Sequence, residues 1–225
     1  MLRFTAHSAA LGVLPPTALL SNTQPRIGLL PGSRRPELEA NLQLLLRLSD
    51  QLPDNNGISL ELALVSSLDD TGLERCANGV GWQLRDGLLQ RQGSPAVRVR
   101  RGAFQTVLQQ SDLVISMAGT AAEQAVGLAK PVLQLPGQGP QFTASFAEAQ
   151  RRLLGPTVFC APGDSGSCDN LSASAQLALQ LLERILHDRD FQHQCQNEAL
   201  RRLGKSGGGL RMASAIGDLC PSTAP

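Results

Sequence analysis

An α/β fold is expected, with a Rossmann-like parallel sheet, helices on both faces of that sheet and a helical tail at the C-terminus. Three observations predict it. Short apolar runs alternate with helical patterns from Arg26 to Cys160, which indicates right-handed βαβ units. Several of those runs end in loops rich in glycine and proline. After Cys160 the helical periodicity continues with no further clear strand. A chain of 225 residues suits one such domain with a helical tail, since single cores commonly hold roughly 100 to 200 residues.

The elements follow in order. Arg26 to Leu30 is an apolar run stopped by Pro31-Gly32-Ser33, a buried strand entering a loop. A helix follows, with Pro36 suited to its first position, Glu37 and Glu39 to its first turn, and Leu38, Leu42, Leu45 and Leu46 on one face. Ile58 to Val65 is the next strand, after the turn signal Asp54-Asn55-Asn56-Gly57. Asp86-Gly87, between Gln83-Leu84 and Leu88-Leu89, predicts a two-stranded hairpin decorating the core. Val97 to Val99, Asp112 to Ser116, Val132 to Leu135 and Thr157 to Cys160 read as strands. Gly102 to Gln110, Gly119 to Leu128 and Gln141 to Leu154 read as the helices between them. The tail should hold helices over Leu171 to Leu186, Asp190 to Leu203 and Leu210 to Leu219, with breaks near His187-Asp188 and at Gly207-Gly208-Gly209. The expected division is 1–25 as a linker or truncated remnant, 26–161 as the Rossmann-like domain and 162–225 as a helical tail packed on it.

Composition excludes several classes. Hydrophobic residues make up 42% and charged residues 17%, as in globular proteins. Lys and Arg number 20 against 19 Asp and Glu, so nothing points to nucleic acid as a partner. The five cysteines are scattered and form no C-x-x-C pair, which argues against zinc and against a disulfide framework and favours a reducing compartment. His7, His187 and His193 lie in the two tails without partners at metal-ligand spacing. No metal or cofactor is expected. No run reaches the ~18 apolar residues of a membrane span, and Pro15-Pro16 interrupts the apolar start, which argues against a signal peptide. A cytoplasmic location is expected, with peripheral contact at the inner membrane left open.

Ligands of open parallel sheets bind outside the carboxyl ends of the strands, so the loops there carry the candidate chemistry. In the first, Gly32 permits close backbone approach, Ser33 can donate a hydroxyl and Arg34 can neutralise a phosphate at a helix start. Glu37 and Glu39 oppose an anion there, so Arg34 or Arg35 would have to offset them, and an ordinary turn with surface arginines is the competing reading. In the second, Met117-Ala118-Gly119-Thr120, small residues open a helix N-terminus to a diphosphate, and Glu123 could accept hydrogen bonds from ribose hydroxyls. Thr120 and Glu123 are equally spaced for a capping box that needs no ligand. In the third, Leu135 to Thr143, Gln138 and Gln141 offer amides to a sugar, although a structural turn explains most of that loop. Gly204-Lys205-Ser206 imitates the end of a P-loop, but Ala199 stands where its first glycine belongs and a helix precedes it. Ser33 and Ser116 lack the G-x-S-x-G elbow of a hydrolase.

Leu-Leu-Pro-Gly-Ser-Arg at 29–34, Met-Ala-Gly-Thr-Ala-Ala-Glu-Gln-Ala at 117–125 and Pro-Gly-Gln-Gly-Pro-Gln-Phe-Thr at 136–143 together resemble the lipid-A-disaccharide synthase-related family, especially its cyanobacterial type. Ala149 to Gly155 and the tail from Gly204 to Ile216 extend the resemblance. It implies the C-terminal half of a GT-B glycosyltransferase that takes a sugar from a UDP donor similar to UDP-N-acetylglucosamine, with inversion. By position, Gly32, Ser33, Arg34, Gly119 and Thr120 would meet the diphosphate and Glu123 the ribose, with Gln138 and Gln141 as looser assignments. The resemblance also implies a preceding acceptor domain, where only 25 residues stand here. The catalytic residues are therefore left unknown, and a separately encoded acceptor domain or self-association is expected. A non-catalytic nucleotide-sugar-binding module or degenerate fragment is the alternative, followed by an epimerase acting on UDP-N-acetylglucosamine.

Overall fold

The computed structural model of the chain describes residues 24–54, 57–137, 139, 143–205 and 207–219. Along the chain it runs β1 (Arg26–Leu30), α1 (Glu37–Ser49), β2 (Ser59–Leu64), α2 (Asp70–Asn78), β3 (Gln83–Arg85), β4 (Leu88–Gln90), β5 (Val97–Arg101) and α3 (Phe104–Gln110). It continues with β6 (Leu113–Ser116), α4 (Gly119–Gly127), β7 (Val132–Gln134), α5 (Ala144–Leu154), β8 (Val158–Cys160), α6 (Cys168–His187), α7 (Arg189–Leu203) and α8 (Gly208–Leu219). The strands form one sheet in the order β3-β4-β5-β2-β1-β6-β7-β8. From β5 to β8 every neighbouring pair is parallel. Numbered among themselves, these parallel strands lie in the order 3-2-1-4-5-6, so the direction of winding reverses between β1 and β6.

Strand alternation feeds two cores. On one face Ile27, Leu29, Leu60, Leu62, Leu113 and Ile115 meet the leucine stripe of α1 and the buried side of α6. On the other face Leu30, Ala63, Val114 and Val132 meet Val107 of α3, Ala122 and Val126 of α4 and Leu154 of α5. Each fully buried leucine contributes about 1.5–3 kcal/mol relative to exposure, so the six buried leucines of α1 from Leu38 to Leu48 anchor that helix by packing rather than by propensity. Phe191 of α7 packs on Phe159, with the Arg184 guanidinium 4.0 Å above its ring. Cys195 lies beside it in the core, where burial pushes the thiol up to about 12 and keeps it uncharged.

The structure departs from the sequence reading in four places. The hairpin at Asp86-Gly87 forms, but it extends the sheet instead of decorating it, because β4 pairs antiparallel with β5 and Leu89 joins the core. A further helix, α2, fills the stretch between β2 and the hairpin; Asp69 caps it by accepting from the Gly72 N–H at 2.8 Å. Pro36 is the N-cap of α1 rather than its first residue. The helix expected from Gln141 begins at Ala144, after Thr143 accepts from the Phe146 N–H.

In the tail, α6 packs against α1, β6 and β7, and α7 packs against α4, α5 and α6. The α8 helix differs: its Leu210, Met212 and Ile216 are exposed. Among the described residues, no helix is long and apolar enough to cross a membrane.

Candidate nucleotide-binding cleft

The loops after β1 and β6 meet where the winding reverses. The Met117 N–H donates to the Leu30 carbonyl at 2.9 Å, carrying the pairing of β1 and β6 one residue past the strand ends. Beyond that bond a cleft of about 620 Å³ opens. It is lined by Pro31 to Arg34, Glu37 and Asn41 of the loop after β1 and of α1, by Met117 to Ala121, Glu123 and Gln124 of the loop after β6 and of α4, and by Ala63 to Val65, Gly102 and Phe104. Phe146 and Gln150 of α5 complete the lining. A cleft of this size at the carboxyl ends of a switch point is where open parallel sheets take ligands.

Of the eight candidate residues, Gly32, Ser33, Arg34, Gly119, Thr120 and Glu123 line this one cleft. Gln138 and Gln141 lie outside the described residues. Gly32 has φ +93°, a backbone conformation that glycine adopts without strain and a β-carbon would oppose. Arg35 makes a 2.6 Å ion pair with Glu39 one turn along α1, so one of the two acidic residues that oppose an anion is already offset. The charged residues lining the cleft, among the described residues, are Arg34, Glu37 and Glu123.

The capping box read from Thr120 and Glu123 does not form. Ala118 is the N-cap of α4, no side chain caps the helix, and Thr120 stands second in it. The first N–H groups of α4 therefore point out of the helix end without a protein acceptor in their own helix. With one arginine against two glutamates in the lining, these N–H groups and the helix dipole are the main attraction the cleft holds for a phosphate.

Three buried polar side chains hold that helix end in place, and sequence reading assigned none of them to it. The Ser116 hydroxyl accepts from the Ala118 N–H at 3.2 Å and donates to the Ala118 carbonyl at 2.9 Å, which fixes the turn before α4. Gln150 donates through Nε2 to the Gly119 carbonyl at 2.7 Å. Its Oε1 accepts from Gln134 Nε2 at 2.6 Å. Gly119 is needed for a second reason: a β-carbon there would lie 3.0 Å from Gln150 Nε2 and 3.3 Å from the Phe146 ring. A trace of this was legible, because Gln150 interrupts the stripe Ala147, Gln150, Leu154 that faces the interior. Asn41 interrupts the leucine face of α1 in the same way.

The sheet order and the cleft at its switch point place the domain in the Rossmann-like class of α/β folds. No protein-family profile matches the sequence, and no curated protein matches it either. Solved structures do. The chain is similar to the glycotransferase of kitacinnamycin, at 15% identity and a TM-score of 0.57, over 98% of this chain and 48% of that one. It is similar to a putative UDP-N-acetylglucosamine 2-epimerase from Listeria monocytogenes, at 17% identity and a TM-score of 0.56, over 94% and 50% of the two chains. It is also similar to spinosyn rhamnosyltransferase, at 16% identity and a TM-score of 0.55, over 89% and 47%. The chain spans about half the length of each of these solved chains.

Proposed function

We propose that the cleft holds a UDP-sugar and that the chain is the donor-binding half of a glycosyltransferase of the lipid-A-disaccharide synthase-related kind. The observation that carries this reading is the convergence of Gly32, Ser33, Arg34, Gly119, Thr120 and Glu123 on one cleft, at a helix end that no side chain caps. Backbone N–H groups of α4 and the Arg34 guanidinium take the diphosphate, and Glu123, one turn into α4, accepts from the ribose hydroxyls. The apolar lining residues Leu64, Val65 and Phe104 suit the flat face of a nucleobase. Gln138 and Gln141 belong to the sugar end of the same proposal. The motifs at 29–34, 117–125 and 136–143 favour this family over other sugar-nucleotide enzymes, including for its cyanobacterial type.

Transfer with inversion also needs a group that takes the proton from the acceptor hydroxyl while the donor sugar is held. In this reading that group and the acceptor site come from a partner domain equivalent to the half of the solved chains that this chain does not span. A sugar-nucleotide epimerase is the second reading, favoured by the likeness to the putative epimerase. A module that binds the nucleotide-sugar without turnover would use the same cleft.

Calorimetric titration with UDP and UDP-N-acetylglucosamine tests the donor site. Saturable binding weakened about tenfold by Arg34→Ala is the expected result, the size of one charge-assisted hydrogen bond. A folded chain that binds neither ligand would overturn it.

A further inference from the structure

Gln150 and Gln134 form a buried two-amide relay that ends on the first turn of α4. Gln134 is fully buried at the end of β7 and Gln150 is 5% exposed on the inward face of α5. The Gly119 carbonyl can only accept, so the NH₂ group of Gln150 meets it, and the bond from Gln134 Nε2 to Gln150 Oε1 holds that amide from the other side. That carbonyl belongs to the same peptide unit as the Thr120 N–H, one of the donors at the open end of α4. A donor placed on the oxygen polarises the unit and strengthens its N–H as a donor, the more so in a buried setting. It also fixes the tilt of the peptide plane, and so the direction in which the Thr120 N–H points.

Resting on the reading of the cleft given above, we propose that Gln150, oriented by Gln134, is a positioning residue for the diphosphate of a nucleoside diphosphate ligand. It acts through the Gly119-Thr120 peptide. The relay then distinguishes parts of one ligand: it supports the contacts made to phosphate and leaves those made to the nucleoside alone. A side chain that merely joined α5 to α4 would affect both parts equally.

The test compares UDP with uridine on the wild-type chain, Gln150→Met and Gln134→Met, by NMR titration, which follows weak as well as tight binding. Methionine keeps the length of the side chain and removes its amide. Gln150→Met is expected to weaken UDP about fivefold, the size of one neutral hydrogen bond, with uridine unchanged. Gln134→Met should weaken UDP in the same direction by less, since Gln150 stays but loses its orientation, and this variant carries the test should Gln150→Met fail to fold. Equal weakening of both ligands, or no change for UDP in either variant, overturns the relay while leaving the cleft in place. A wild-type chain that binds no UDP overturns the reading of the cleft itself.

Discussion

Asn41 of α1 donates through Nδ2 to the Pro31 carbonyl in the loop after β1 at 2.9 Å, while its Oδ1 lies where a β-carbon on Gly137 would approach to 2.7 Å. The residue is buried on the otherwise apolar face of α1. Its amide therefore ties α1 to the loop after β1 and leaves no room for a side chain at Gly137. Asn41→Leu removes the donor and leaves a carbonyl in a buried setting without its partner, which costs about 1–3 kcal/mol. Thermal unfolding should show the loss, and the same variant should bind UDP more weakly because Gly32 to Arg34 lose their support.

Gly119 answers to the space around it. Valine there would press on Gln150 and on the Phe146 ring, and overpacking of this kind costs about 1–3 kcal/mol. Gly119→Val is expected to lower the unfolding temperature and abolish UDP binding, with Gly119→Ala intermediate in both. Calorimetry on the two variants checks the order.

Glu123 lines the cleft one turn into α4. If it accepts from the ribose, Glu123→Ala should weaken UDP about tenfold and should weaken the 2′-deoxy analogue less. Equal losses for the two nucleotides would remove Glu123 from the ribose contact.

Glu148 carries the one large carboxylate shift among the described residues. Hydrogen bonds from Arg151 and then Arg152 hold its carboxyl down at about 2. A depressed carboxylate stabilises the folded state above its ordinary value near 4.5, and that contribution is lost as pH falls from there toward about 2. The group is exposed, so salt should weaken the effect. Carboxyl NMR titration should find Glu148 near 2 in the wild-type chain and back in the ordinary range in an Arg151→Gln, Arg152→Gln double variant.

The sequence declared most of the fold because its signals were local. The apolar runs at β1, β6 and β7 and the leucine spacing of α1 are each set by residues within one element. The edge of the sheet was less legible. Whether β4 packs as decoration or pairs with β5 depends on the partnering of Leu89 with Val97, which no local pattern encodes. The cleft divides in the same way. Its lining glycines and charges sit in motifs that can be read in order, whereas Asn41, Gln134 and Gln150 act across 10 to 31 residues of chain and come together only once the sheet is built. The capping box failed for a different reason: Thr120 has the right spacing to Glu123, but α4 starts two residues too early for Thr120 to stand at its cap.

The central claim is that the open end of α4 and the loop after β1 receive a diphosphate. Backbone amide NMR of the chain titrated with UDP tests it most directly. The account predicts the largest shifts at Gly119, Thr120, Ala121, Gly32 and Ser33, with smaller ones near Glu123 and Phe104. Saturating shifts confined to other parts of the surface, or none at all in a folded chain, would contradict it.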